Sequence, residues 1–172
     1  MYQFDGAVLN WSEDKALLDL RQLECSADVK EFVFIQCAIR TIEGIDRFPA
    51  LQSIHLWHHR SLTDISELEH CADTLRAFSI EACPKISDFS VLYKLRKLEH
   101  LNLMGNNCLP DLKFLDCMPN LKTFVFSMPV SDCDLTPCLR LPYASYTRGK
   151  RGYNFKDKDL PHRLPTVPFT LK

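Results

Sequence analysis

LEHLNLMGNNCLPDLKFLDCMPN, residues 98–120, decides how the fold is read. Leucine stands at 98, 101 and 103, a small polar residue at Asn106, and a second apolar set at Leu109, Leu112 and Leu115. Alternation over 101–103 predicts a short strand, and the three-residue spacing after it suits a tight helical turn. One strand and one helical turn cannot bury their own apolar face, so the segment needs copies of itself alongside.

The copies are present. They begin at Val29 (VKEFVFIQCAIRTIEGIDRFPA), Leu51 (LQSIHLWHHRSLTDISELEHCADT), Leu75 (LRAFSIEACPKISDFSVLYKLRK), Leu98 and Leu121 (LKTFVFSMPVSDCDL). Successive starts lie 22, 24, 23 and 23 residues apart. The fourth position reads Phe32, Ile54, Phe78, Leu101, Phe124, and the sixth reads Phe34, Leu56, Ile80, Leu103, Phe126. With the first position, all fifteen sites are apolar in a chain that is 46% hydrophobic, an agreement that composition does not produce.

The pattern, LxxLxL followed by a small residue and a second apolar set, resembles the leucine-rich repeat over residues 29–135. The second halves, LTDISEL at 62, ISDFSVL at 86 and LPDLKFL at 109, are similar to the short repeats of internalins and of phosphatase-regulatory leucine-rich proteins. The resemblance implies an α/β solenoid with a parallel concave sheet of about five strands and 3₁₀ or short helical turns on the convex side. It also implies that the ninth residue of each repeat turns inward to satisfy backbone groups. Asn106 suits that role, Cys37 and Cys83 are small alternatives, His59 departs from it, and Pro129 breaks it and suggests that the array ends there.

The ends of a solenoid need covers. Residues 12–23, SEDKALLDLRQL, predict a capping helix with Ser12 at its N-cap and Ala16, Leu17, Leu20 and Leu23 on one apolar face. The expected division is thus an N-terminal cap over 1–28, repeats over 29–135, and a C-terminal cap or tail over 136–172. Residues 143–172 carry seven Lys or Arg against two Asp, whereas residues 1–142 carry fourteen basic against twenty acidic residues. An acidic body and a basic tail hide behind a net charge of −1. Tyr143, Tyr146, Tyr153 and Phe155 favour an irregular cap folded over the last strand edge. An exposed arm is the second reading. A nucleic-acid contact through Arg148, Lys150, Arg151 and Lys156 is the third and is disfavoured.

Length suits one domain, no apolar run is long enough to span a bilayer, and the first residues do not read as a secretion signal. The eight cysteines form no CxxC pair, and several fall on buried repeat positions. Free thiols in a reducing cytoplasm are therefore expected. LWHHR at 56–60 tempts a metal reading, but His55 and His100 are two strands apart, too far to share an ion, so neither metal nor cofactor is expected. No glycine-rich phosphate loop, GxSxG or HExxH occurs, so no catalytic residue is assigned and an enzyme is not expected.

If positions four and six face the core, the flanking positions face out. They place Val33, Ile35, His55, Trp57, Ser79, Glu81, His100, Asn102, Met104 and Val125 on one surface, and these are the expected partner-binding residues. An outward Trp57 amid apolar neighbours is the expected anchor for a folded protein. The resemblance to stand-alone bacterial leucine-rich proteins, some similar to immunity proteins, makes a basic toxin domain one candidate partner for the acidic body. A phosphatase-regulator-like subunit or another cytosolic adaptor is the alternative. CPKISD at 83–88 is similar to repeats of ubiquitin-ligase adaptors, but those repeats are longer.

Overall fold

The five apolar columns predict parallel strands in line. The computed structural model, which describes residues 2–5, 8–12, 18–23 and 27–163, contains eight strands in one sheet. These are β1 (Tyr2–Asp5), β2 (Val8–Ser12), β3 (Glu31–Ile35), β4 (Ser53–Trp57), β5 (Ala77–Glu81), β6 (His100–Met104), β7 (Thr123–Phe126) and β8 (Tyr143–Tyr146), arranged in chain order. β2 to β8 run parallel, and β1 pairs antiparallel with β2. The register sets Phe32, Ile54, Phe78, Leu101 and Phe124 in one row and Phe34, Leu56, Ile80, Leu103 and Phe126 in the next, all buried. A one-residue slip in any strand would turn its row toward solvent.

The parallel sheet has seven strands rather than about five. β2 and β8 extend the columns with weaker residues: Leu9 and Trp11 pair with Phe32 and Phe34, and Ala144 and Tyr146 with Phe124 and Phe126. Bare edges of a parallel sheet expose unpaired amides, and chain on either side of the repeats supplies the missing neighbours. Pro129 does not end the array. A further turn comes after it, through a 3₁₀ segment at Thr136–Arg140 into β8.

The helix expected over 12–23 falls partly outside the described residues, and the described part, 18–23, holds a 3₁₀ turn. Ser12 closes β2, and residues 13–17, including Ala16 and Leu17, lie outside the described residues. Leu20–Gln22 form a single 3₁₀ turn whose N-cap is Asp19; its carboxylate accepts from the Arg21 amide. Leu18 and Leu20 are buried against the first turn and belong to the core.

Opposite the sheet, 3₁₀ segments stack at Ile45–Arg47, Ser66–Cys71, Ser90–Lys94, Lys113–Cys117 and Thr136–Arg140. Four of them share one entry device. Asp64, Asp88, Asp111 and Asp134 each accept a hydrogen bond from the backbone amide two residues on, at 2.8, 2.7, 2.8 and 2.9 Å. These Asx turns explain the recurrent Asp in TDIS, SDFS, PDLK and CDLT. The Ser90 amide holds the Asp88 carboxyl below the usual carboxylate range, and the Thr136 hydroxyl together with its amide does the same for Asp134.

Between the layers lies the inward column, Cys37, His59, Cys83 and Asn107, all buried. His59 fits it after all: Nδ1 lies 3.0 Å from the Cys37 carbonyl and Nε2 2.9 Å from that of Phe34. The fourth residue is Asn107, not Asn106. Gly105 turns the chain at φ +156° and one extra residue is inserted after it, leaving Asn106 exposed. Asn107 donates through Nδ2 to the Cys83 and Ile86 carbonyls at 3.1 and 2.7 Å.

The C-terminal segment is folded onto the last turn. Tyr146, Tyr153 and Phe155 pack on the core, and Leu160 is buried. Aromatic rings run continuously from Tyr93 through Phe114, Phe124, Phe126 and Tyr146 to Tyr153. Asp157 Oδ1 accepts from the Tyr146 amide at 2.8 Å and the Ser145 hydroxyl at 2.9 Å, occupying the outer edge of β8. A bridge between Tyr143 and His162 covers the other end of that edge.

Asn107→Ala orphans the buried Ile86 carbonyl, leaves that of Cys83 only the 3.4 Å bond from the Ile86 amide, and is expected to cost about 2–3 kcal/mol, whereas Asn106→Ala is expected to cost under about 0.5 kcal/mol. Denaturant unfolding of both variants checks this; equal losses would contradict the inward assignment of Asn107.

Candidate interaction face

The ten expected residues all lie on the sheet face turned away from the 3₁₀ layer, in three cross-strand rows. The central row is Val33, His55, Ser79, Asn102 and Val125; the next is Ile35, Trp57, Glu81 and Met104. His100 belongs to a third, with Glu31, Ser53, Ala77 and Thr123. Val33, His55 and Ser79 are buried, and the other seven are half-buried. Asn10 and Ser145 extend the central row by one strand at each side. The alternation around Leu9 and Trp11, and around Ala144 and Tyr146, was the sequence signal that could have found these two.

Hydrogen bonds fix the face from within. Ser79 Oγ accepts from Trp57 Nε1 and from Asn102 Nδ2, both at 3.1 Å. The indole is thereby held over β5 and stacks edge-on against His55, 5.5 Å between centroids. Asn102 Oδ1 is buried without a hydrogen-bond partner. Rotating the amide only exchanges which of its two atoms is left over. His100 Nδ1 meets Thr123 Oγ1 at 2.9 Å. The histidine that faces Glu81 is His58, at 3.8 Å, and His55 instead faces Glu31 at 3.2 Å.

Glu31, His55 and Ser53 invite comparison with a nucleophile triad. The Ser53 hydroxyl, 2.9 Å away, and the Glu31 carboxylate both approach the same nitrogen, Nε2. A relay needs the base oriented through one nitrogen and the nucleophile at the other. The three groups are therefore not arranged as such a relay. Cys37 Sγ lies 3.7 Å from His59 Nδ1, but both are buried in the inward column. Burial pushes the thiols of Cys71 and Cys83 up to about 11 and that of Cys138 up to about 12, away from thiolate chemistry at neutral pH. Cys71, Cys83, Cys108, Cys117, Cys133 and Cys138 are free thiols. No group of three His, Cys, Asp or Glu among the described residues could hold a metal ion.

Beside the face, at the C-terminal strand ends, the chain forms an open trough of about 790 Å³. Gln36, Arg60, Glu81, Met104, Asn106 and Arg148 are among the residues that line it. The repeat pattern does not reveal this trough. Arg148 reaches it from the tail and donates to Asn106 Oδ1 at 2.8 Å across 42 residues, a contact that no local pattern encodes.

A parallel-stranded solenoid with one short 3₁₀ segment per turn is compatible with the leucine-rich-repeat type of scaffold. The chain matches no family model, and no curated protein is significantly similar to it. Among the described residues, no helix is long and apolar enough to cross a membrane.

Burial lowers the proton affinity of His59, and the facing Cys37 and Phe34 carbonyls only partly oppose it. Burial likewise lowers His55 against the pull of Glu31, and lowers His100. The unfolded chain, with histidines near 6.5, then takes up protons first as pH falls. Stability is expected to hold above pH 6.5 and to decline below it. His59→Asn is expected to flatten that decline in melting curves taken from pH 7.5 to 5. An unchanged slope would remove His59 from the account.

Proposed function

We propose that this chain is a non-catalytic binding module of leucine-rich-repeat type that engages a folded protein through the open face of its sheet. The observation that carries the reading is Trp57, a half-buried indole held in place by its own hydrogen bond to Ser79 on an almost uncharged surface. Tryptophan is among the residues that dominate interface energetics, and an indole held before contact loses little freedom on binding. Ile35, Met104 and Val125 supply further apolar area on the same face.

Charge narrows the partner less than the whole-chain balance suggests. The outward positions of β3 to β7 carry Glu31 and Glu81 as their carboxylates and no Lys or Arg. A basic toxin domain, with the chain as its inhibitor, would meet those two acids. The wider acidic field would raise its encounter rate rather than anchor it. Free, buried thiols support a reducing compartment, and the cytoplasm is the proposed location.

Affinity capture from host lysate with the wild-type chain, Trp57→Ala and Trp57→Phe tests the reading. The expected result is one stoichiometric protein, bound about 30-fold or more weaker by Trp57→Ala, a loss of about 2 kcal/mol, with Phe retaining part of the affinity. Trp57→Ala also removes the Ser79 bond and the His55 contact, so a stability loss of about 1–2 kcal/mol is expected beside it. The same proteins on all three baits would contradict the reading.

A further inference from the structure

The trough runs along the C-terminal ends of β3 to β8, from the turn of Gln36 to that of Thr147 and Arg148. That path crosses five strand intervals, roughly 24 Å at the usual spacing. It borders the open face directly, because Glu81 and Met104 belong to both. Its apolar lining includes Ala38, Pro84 and Met104.

Its charges are Arg60, Arg148 and Glu81, with His58 beside Glu81 at 3.8 Å. Among the described residues neither arginine has a carboxylate within ion-pair distance, unlike Arg21, Lys94, Lys122 and Arg140 elsewhere. Arg148 is steadied by the neutral Asn106 amide, which leaves most of its guanidinium donors available. Arg60 sits on the turn after β4, and Asn106, where Arg148 is held, on the turn after β6. Two strand intervals separate these turns, roughly 10 Å. Cations so placed do not converge on one compact anion. They match carboxylates spaced along an extended chain, whose residues advance about 3.3 Å each.

We propose that this trough binds an extended acidic segment of a protein partner, with Arg60 and Arg148 pairing with its carboxylates. The inference rests on the protein-binding reading and adds a second contact to it: a partner seated on the Trp57 face sends an acidic loop across the strand ends.

The test uses the full chain and no unidentified partner. A fluorescent octapeptide of alternating Glu and Ala is titrated at low salt, with Gln–Ala and Lys–Ala octapeptides for comparison. The acidic peptide is expected to bind most tightly. The double variant Arg60→Glu/Arg148→Glu is expected to weaken it by about tenfold or more. Lys113→Glu/Arg140→Glu, an equal charge change in the opposite layer, is expected to leave it within about twofold, and melting curves verify that both variants fold. Trp57→Ala is expected to retain peptide binding. No preference for the acidic peptide, or equal losses in the two double variants, would overturn the proposal. Neither result bears on the capture experiment, so the trough and the Trp57 face fail separately.

Discussion

Each turn of this solenoid leaves backbone groups that only the next turn or an inward side chain can satisfy, and the rest of the structure depends on that constraint. An unpaired buried carbonyl costs about 1–3 kcal/mol, comparable to a sizeable share of a domain's net stability. Cys37, His59, Cys83 and Asn107 share one task although their chemistry differs, because each brings a polar atom to the same carbonyl-rich interior. The Asx turns at Asp64, Asp88, Asp111 and Asp134 do the equivalent on the other side of the core. With both bends fixed, the strand register is set, and with it which side chains reach the open face.

The same constraint explains the ends. A parallel ladder cannot stop at β3 or β7 without exposing its amides. The chain therefore spends Val8–Ser12 and Tyr143–Tyr146 on further strands, although neither has leucine-rich columns. Asp157 then serves as a substitute for a further strand, taking the Tyr146 amide that a backbone carbonyl would otherwise take. The basic, aromatic segment is in this sense part of the core, and Arg148 extends from it to the trough.

Much of this was legible in the sequence. Columns at the first, fourth and sixth positions fixed five strands and the orientation of the ten face residues, because alternation leaves no other side for them. The illegible parts depended on small departures. Gly105 shifts the inward asparagine by one residue, and a register count alone puts it at Asn106. Ser12 reads as a helix cap by type, and the strand it closes is not signalled by any leucine column; it forms because the edge of β3 demands a neighbour. His55 reaches Glu31 diagonally across β4 and β3, and His58 reaches Glu81 from the turn after β4; both depend on side-chain direction, which spacing does not report. The trough joins residues of six turns, so its charges emerge only once the turns are stacked.

Hydrogen exchange resolved to single amides tests the central claim, one continuous sheet closed at its C-terminal edge by the chain's own tail. Protection of Ala144, Tyr146 and Thr147, which donate to Pro161, Asp157 and Phe126, is predicted to approach that of β5 and β6. Exchange at these amides as fast as in an unstructured peptide, with β5 and β6 still protected, would contradict it.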